Sequence, residues 1–329
     1  MKKFLLVMLA GILTFSLAAC GSSDDTDDNA EGGNEGGDTT EYRLNIGTGG
    51  NSGTYYPLGV ATQKIFSELD MVKSVSALTS DASVANVNGI KDGDYELAFI
   101  QNDITYYAAN GEEMFADNAV EGLHGFGVLY PEVIQLVTTE DSGINSLEDL
   151  KGKKVSVGKA ASGVEANARQ VLDAAGISED DIQIEYLSFG DASAQLKDNN
   201  IDAAFVTAGT PTASIQELKA TKGVKVIALP DDVRNTLKEK YPFYVDYTLE
   251  KEAYDLEADV NTVAVSAMIV ISADVSEDLA YELAKAFYEN TDELAGAHER
   301  GKMISIDTAL EGMPVDVHPG VQKYFDEQK

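Results

Sequence analysis

Cysteine is all but missing from this chain: among its 329 residues only Cys20 carries a thiol. Beyond that position no disulfide, cysteine-based zinc site or cysteine nucleophile can form. Histidine is nearly as scarce. His124, His298 and His318 lie far apart in sequence and show no metal-ligand spacing with one another or with carboxylates, so no metal site is expected. Basic residues are short as well, with 24 lysines and arginines against 56 aspartates and glutamates and a net charge of −32. That balance excludes a nucleic-acid partner and disfavours lying flat on anionic lipid. A Gly-x-Ser-x-Gly elbow is absent, and carboxylates are so abundant that no pair stands out as general acid and base. No catalytic residue and no cofactor is expected.

An apolar run near the N-terminus, Phe4 to Ala18, falls short of the roughly 20 residues of a spanning helix. Lys2 and Lys3 precede it and Leu17-Ala18-Ala19-Cys20 follows, the pattern of an export signal cut before a lipidatable cysteine. Residues 1–19 therefore read as a signal peptide and Cys20 as a lipid anchor in the outer face of the cytoplasmic membrane, at the cell surface or in the periplasm. Each buried acyl methylene contributes roughly 0.8 kcal/mol, so two or more chains suffice to hold the protein on a bilayer. Loss of Lys2 and Lys3 with the signal makes the mature charge −34. Residues 20–41 follow as a tether: Gly21 to Glu41 hold eight acidic residues, no basic residue and five glycines, a composition that cannot bury enough surface to fold and that extends by self-repulsion. Asp25, Asp27 and Asn29 fall at the liganding positions of a calcium loop, but Ala30 and Gly36 replace its glycine and closing glutamate, so calcium binding is rejected.

From Tyr42 onward, short β-rich runs alternate with helical patterns, which marks an α/β protein with mostly parallel sheets. The remaining length, roughly 290 residues, exceeds the usual size of one core, so two lobes are expected. Strands are read at 43–47, 72–79, 95–100, 133–138, 154–158, 182–187, 202–206, 224–228 and 263–271, with helices including 57–69 and 164–175. The sequence also echoes itself. Arg43-Leu44-Asn45-Ile46-Gly47 leads through a glycine-rich loop to Ser52-Gly53 and a helix, and Lys154-Val155-Ser156-Val157-Gly158 leads likewise to Ser162-Gly163 and a helix. Some 50 residues on in each copy comes a second matching strand, one ending in Gln101-Asn102 and the other in Thr207-Ala208-Gly209. Each lobe would then offer a loop and a helix N-terminus at the carboxyl ends of its strands, where α/β sheets bind ligands. Two such lobes facing each other form a cleft that closes by a hinge.

The loop Gly47-Thr48-Gly49-Gly50-Asn51-Ser52-Gly53 suits the cradling of an anion by backbone N–H groups, with a plain tight turn as the alternative. It is no dinucleotide fingerprint, because Ser52 stands where the third glycine belongs. Tyr55 and Tyr56 beside it can contact a ligand or fill the core. Ser162-Gly163-Val164-Glu165 has capping-box spacing, with Ser162 capping the helix and Glu165 reaching back to the cap N–H. A phosphate loop fails there, since Val164 replaces the lysine. Lys159 is the nearest candidate cation, with a solvated lysine as its plainer role.

These residues resemble those of a known family, the TAXI-type solute receptors of TRAP transporters. The resemblance rests on Gly47-Thr48-Gly49-Gly50, Gly53-Thr54-Tyr55-Tyr56-Pro57-Leu58-Gly59, Leu129-Tyr130-Pro131-Glu132, the stretch from Ser146 to Gly158, Asn167 to Leu172, and His318-Pro319-Gly320. It implies a two-lobed periplasmic-binding-protein fold of type II, each lobe a mostly parallel sheet flanked by helices. Lobe 1 would comprise 42–131 and 258–329, and lobe 2 132–257, with crossovers at Leu129 to Val137 and near Tyr247 to Val263. It further implies a small organic anion, a carboxylate such as glutamate or a dicarboxylate, passed to membrane-embedded permease subunits of a TRAP transporter. A lipoprotein that senses its ligand and reports to a signalling receptor is the alternative role. The implied ligand residues are Thr48, Gly49, Gly50, Asn51, Ser52, Gly53, Tyr55 and Tyr56, faced by Gln101, Asn102, Ser162, Gly163, Val164, Thr207 and Gly209. Threonine is the residue expected at position 164. A hydroxyl lost there would forfeit about 1.5 to 3 kcal/mol if it met a charged ligand group.

Replacing Cys20 with serine should shift the protein from the membrane fraction to the soluble fraction of lysed cells; retention in the membrane would point to another anchor.

Overall fold

The computed structural model describes residues 41–329. The expected signal peptide, the lipid anchor at Cys20 and the tether up to residue 40 lie outside the described residues. Ten strands form one mixed sheet: β1 (Tyr42–Gly47), β2 (Val72–Leu78), β3 (Leu97–Gln101), β4 (Leu123–Thr138), β5 (Lys154–Ser156), β6 (Gln183–Glu185), β7 (Ala203–Ala208), β8 (Lys225–Ile227), β9 (Val245–Leu249) and β10 (Val260–Ser272). Ten helices pack around it: α1 (Tyr55–Phe66), α2 (Ser83–Lys91), α3 (Asn102–Asn110), α4 (Gly163–Ala174), α5 (Phe189–Lys197), α6 (Ala213–Lys222), α7 (Asp231–Lys240), α8 (Glu277–Glu289), α9 (Thr291–Ala297) and α10 (Pro319–Glu327).

The main path of the sheet runs β2-β1-β3-β10-β4-β7-β5-β6, with β8 beside β4 and β9 beside β10. β1 pairs parallel with β2 and β3, and β5 pairs parallel with β6 and β7. The order β2-β1-β3 on one side thus mirrors β6-β5-β7 on the other, and the echo between Arg43–Gly47 and Lys154–Gly158 becomes a repeated βαβ arrangement. β4 and β10 run antiparallel between the two halves. Each serves both. The end of β4 around Val133–Thr138 pairs with β7, while β10 pairs through Ala264 with Val245 of β9 and through Ala267 with Gln101 of β3.

The sequence reading found only Val133–Thr138 of β4, because His124-Gly125-Phe126-Gly127 looks like a loop and Pro131 cannot donate to a ladder. The glycines are there for close packing. A Cβ on Gly127 would overlap the Tyr288 hydroxyl, and one on Gly125 would overlap the Met313 sulfur. β9 was missed because it lies mostly exposed at an edge and alternates weakly. Ser162 caps α4 through its hydroxyl as expected, and Ser188 and Ser276, which the sequence reading did not single out, cap α5 and α8 in the same way. His318 caps α10 instead, its Nδ1 accepting from the Gly320 N–H at 3.2 Å, with Pro319 at the first helical position.

Buried apolar side chains divide with the sheet. One half packs Leu58, Ile65 and Phe66 of α1 against Phe126, Phe287 and Ile269, and the other packs Val171 and Leu172 of α4 against Val155, Phe205 and Leu237. Complete burial of each such side chain contributes about 1.5–3 kcal/mol.

At the seam between α10 and α8, Gly320 sits so close to the Glu277 carbonyl that no Cβ fits, and the Ala280 Cβ lies 3.0 Å from that position. Gly320→Ala should destabilise by about 1–3 kcal/mol, read as a melting point lower by several degrees. An unchanged melting point would show that the seam is loose.

Candidate functional site

The repeated arrangement brings the carboxyl ends of β1, β3, β5 and β7 to one crevice, and with them the helices that follow. A cavity of about 80 Å³ lies there, lined by Gly49–Tyr55, Ser80–Ser83, Gln101, Glu132, Lys159, Ser162–Val164, Leu187–Gly190 and Thr207–Ala208. At roughly 10–15 Å³ per water position, it has room for on the order of five to eight waters, the size of a small metabolite. A larger hollow of about 530 Å³ opens elsewhere against Pro131, Phe243, Met303 and Met313. That one lacks convergent helix ends, and size alone does not select a site.

Four helix N-termini face the smaller cavity: α1 through Thr54 and Tyr55, α2 through Ala82 and Ser83, α4 through Gly163 and Val164, and α5 through Phe189 and Gly190. Each carries first-turn N–H groups and the positive end of a helix dipole. Ser162 and Ser188 occupy only the N–H groups of Glu165 and Asp191, leaving those of Gly163, Val164, Phe189 and Gly190 without an acceptor among the described residues. Here the expected capping box is half formed. Glu165 reaches past the cap to the Ala161 N–H at 2.9 Å, because the Ser162 N–H already donates to Lys159 O.

Most of the expected ligand residues meet at this cavity. Gly49, Gly50, Asn51, Ser52, Gly53, Tyr55, Gln101, Ser162, Gly163, Val164 and Thr207 all line it. Thr48, Tyr56, Asn102 and Gly209 do not. The Thr48 hydroxyl donates to Leu78 O at 2.7 Å and ties the glycine loop to β2. Asn102 follows Gln101 at the strand end and faces the other way: its Oδ1 accepts from Ser266 N at 3.0 Å and its Nδ2 donates to Gly312 O at 3.3 Å. Gly209 is packed beneath Thr54, Tyr130 and Arg300, and its carbonyl accepts the Thr54 hydroxyl at 3.2 Å. Sequence reasoning passed over Ser80–Ser83, Glu132 and Leu187–Gly190. The Ser188-Phe189-Gly190-Asp191 helix start repeats the capping signal of Ser162 and marks the second half of the echo.

Glu132 is the outlier of the site. It is 3% exposed, lines the cavity, and accepts the Tyr55 hydroxyl at 2.7 Å. Burial pushes its carboxyl up to about 8; the Tyr55 hydrogen bond and the nearby Gln101 amide oppose this, and the charge of Asp103 adds to it. Gln101 in turn leads into a buried polar chain that joins the two halves. Its Nε2 donates to Asn167 Oδ1 at 3.0 Å, and Asn167 Nδ2 donates to Asp103 Oδ2 and to the Tyr244 hydroxyl, each at 2.9 Å. Burial raises Asp103 to about 6, against hydrogen bonds from Ile104 N–H and Asn167. Gln101 Oε1 and Thr207 Oγ1 are buried without a partner among the described residues. At the rim, Lys159 pairs with Asp81, both about half exposed, a contact worth at most about 1 kcal/mol. Among the described residues no cluster of three or more histidines, aspartates and glutamates could hold a metal.

Comparison with known proteins bears on this geometry. The profile of the NMT1-like family matches residues 46–328. The chain belongs to the NMT1-like family. Over 216 residues it is 27% identical to the arginine-binding extracellular protein ArtP of Bacillus subtilis (strain 168), covering 63% of this chain and 73% of that protein. Among solved structures, the alkanesulfonate-binding protein SsuA of Xanthomonas axonopodis pv. citri superposes with a TM-score of 0.51 at 15% identity, over 86% of this chain and 83% of that one. A protein of Bordetella bronchiseptica RB50 gives 0.53 at 18% identity, over 86% and 82%. Those two likenesses show the fold, the two-lobed periplasmic-binding-protein fold with its cleft between the lobes. The family and these relatives are solute-binding proteins and not enzymes. No helix among the described residues is long and apolar enough to cross a membrane.

The raised carboxyl of Glu132 has a stability consequence. With a folded-state value near 8 against an ordinary 4.5, the folded state holds the proton more tightly, so the associated stability is full below about 4.5 and is lost as pH rises through 8. Glu132→Gln should melt with wild type at pH 5 and several degrees above it at pH 8.5. Identical melting at both pH values would show that Glu132 titrates normally.

Proposed function

We propose that the mature chain is a lipoprotein that captures a small carboxylate-bearing solute between its lobes and presents the closed form to the permease of a TRAP-type transporter. The observation that carries this is the convergence of four helix N-termini, with unpaired N–H groups, on one small cavity of a strongly acidic protein. An anion approaching such a molecule needs a local positive field, and the helix ends supply it. The TRAP reading draws on the TAXI-like residues, several of which, from Gly49 to Tyr55 and at Glu132, line the cavity.

Lobe 1 is taken as 42–131 with 258–329 and lobe 2 as 132–257, joined by β4 and β10. Contacts between these lobes ring the cavity: Thr54 to Gly209, Ala85 N–H to Ala161 O at 3.0 Å, and Gln101 to Asn167. A solute bridging both lobes would shift the population toward this closed arrangement. The site takes Gly49–Gly53, Tyr55, Gln101, Ser162–Val164 and Thr207 as ligand contacts, and leaves Thr48, Tyr56, Asn102 and Gly209 in supporting roles. The named ligands of the relatives, arginine for ArtP and an alkanesulfonate for SsuA, both carry charged groups that a field of oriented dipoles can select.

Thermal unfolding against a panel of amino acids, dicarboxylates, oxo acids and sugars tests the proposal. A true ligand at a hundredfold excess over its dissociation constant stabilises by about 2.7 kcal/mol, and Ser52→Ala should weaken that ligand several-fold without lowering the unliganded melting point. Stabilisation by sugars alone would contradict the carboxylate reading, and silence across the panel would favour a receptor-signalling role.

A further inference from the structure

Capture of a carboxylate leaves the one buried carboxyl that lines the cavity among the described residues, that of Glu132, unexplained. We propose that Glu132 is a specificity-determining residue that accepts the ammonium group of the solute, so that the ligand is an amino acid held by its carboxylate at the helix N-termini and by its amine at Glu132. The inference rests on the reading of the cavity as a carboxylate-binding cleft and narrows it.

The neighbours of Glu132 give it no positive partner. Tyr55 of α1 donates one hydrogen bond, the Gln101 amide at the end of β3 lies close and favours the ionised form, and Tyr130 of β4 and Asp103 of α3 are the further titratable groups that face it. Lys159 is the single basic residue lining the cavity, and it is engaged by Asp81 at the rim. Arg300 acts on Tyr130 from beyond but is held by Thr210 and Tyr247. A buried ionised carboxylate without a counter-charge is costly, and a buried pair is tolerated when hydrogen bonds satisfy what remains. An ammonium group supplies both the charge and the donors. A dicarboxylate would instead set a second anionic group against Glu132 in a cavity of about 80 Å³.

Linkage follows from the same geometry. Burial keeps much of the Glu132 population protonated at neutral pH, so an arriving ammonium must displace that proton. Asp103 titrates near 6, and burial raises Tyr55 and Tyr130 well above their ordinary value, which leaves the interval between about pH 6.5 and 8 to Glu132.

Titration calorimetry on the full chain with each L-amino acid and its 2-oxo counterpart decides the matter. The expected result is an amino acid bound at least tenfold tighter than its 2-oxo acid, with an affinity that rises about tenfold from pH 6.5 to 8. In Glu132→Gln that rise should vanish, the amino acid should lose at least tenfold, and the 2-oxo acid should gain. Equal or tighter binding of the 2-oxo acid by wild type, or affinity that falls as pH rises, would overturn the role of Glu132 while leaving the cleft reading intact. Failure of wild type to bind any member of either set would overturn the cleft reading itself. The wild-type measurements stand without the variant, so a misfolded Glu132→Gln would not blunt the test.

Discussion

Antiparallel pairing of β4 with β10 is the constraint on which the rest of this molecule depends. Both strands are long enough to serve each half of the sheet, and through them the two lobes share one hydrogen-bonded ladder. Because the strands run side by side, the glycine loops and helix starts of the two halves line one cavity. Residues at the crossing occupy the floor of the cleft. Glu132 is one of them, paired with Val265 of β10 and close enough to Tyr55 for a hydrogen bond across to α1. The unusual chemistry of the site, a carboxyl deep in a protein that carries 56 acidic residues, comes from this placement.

Charge is handled locally. The chain is acidic throughout, yet its cavity is walled by the positive ends of four helices, which act at short range where solvent screening is weak. Symmetry makes this economical in sequence, since the same strand-loop-helix unit occurs twice and each copy contributes two helix starts. The polar chain from Gln101 through Asn167 to Tyr244 joins the two halves away from solvent, with Gln101 Oε1 left without a partner among the described residues.

The α/β pattern, the repeated unit and most of the cleft were legible from residues alone, because strand runs, serine caps and glycine loops carry local signals. Gly49–Gly53, Tyr55 and Ser162–Val164 were reached in that way, and Gln101 through the family resemblance. What was not legible depends on facing, not on type. Gln101 and Asn102 are adjacent and equally polar, but the backbone turns one into the cavity and the other toward Ser266 and Gly312. Thr48 looked like a ligand hydroxyl and proved to be a tie to β2. Glu132 was one glutamate among many, and only the burial imposed by two crossing strands distinguishes it.

Distance measurement between spin labels on Val60 of α1 and on Tyr186 just before α5, both exposed and on opposite lobes, tests the central claim that a solute closes this hinge. Labelled cysteines at those positions in a Cys20→Ser background should give a broad or longer distribution alone and a single shorter distance with a saturating carboxylate ligand. One unchanged distance with and without bound ligand would contradict it, and the molecule would then be a rigid receptor.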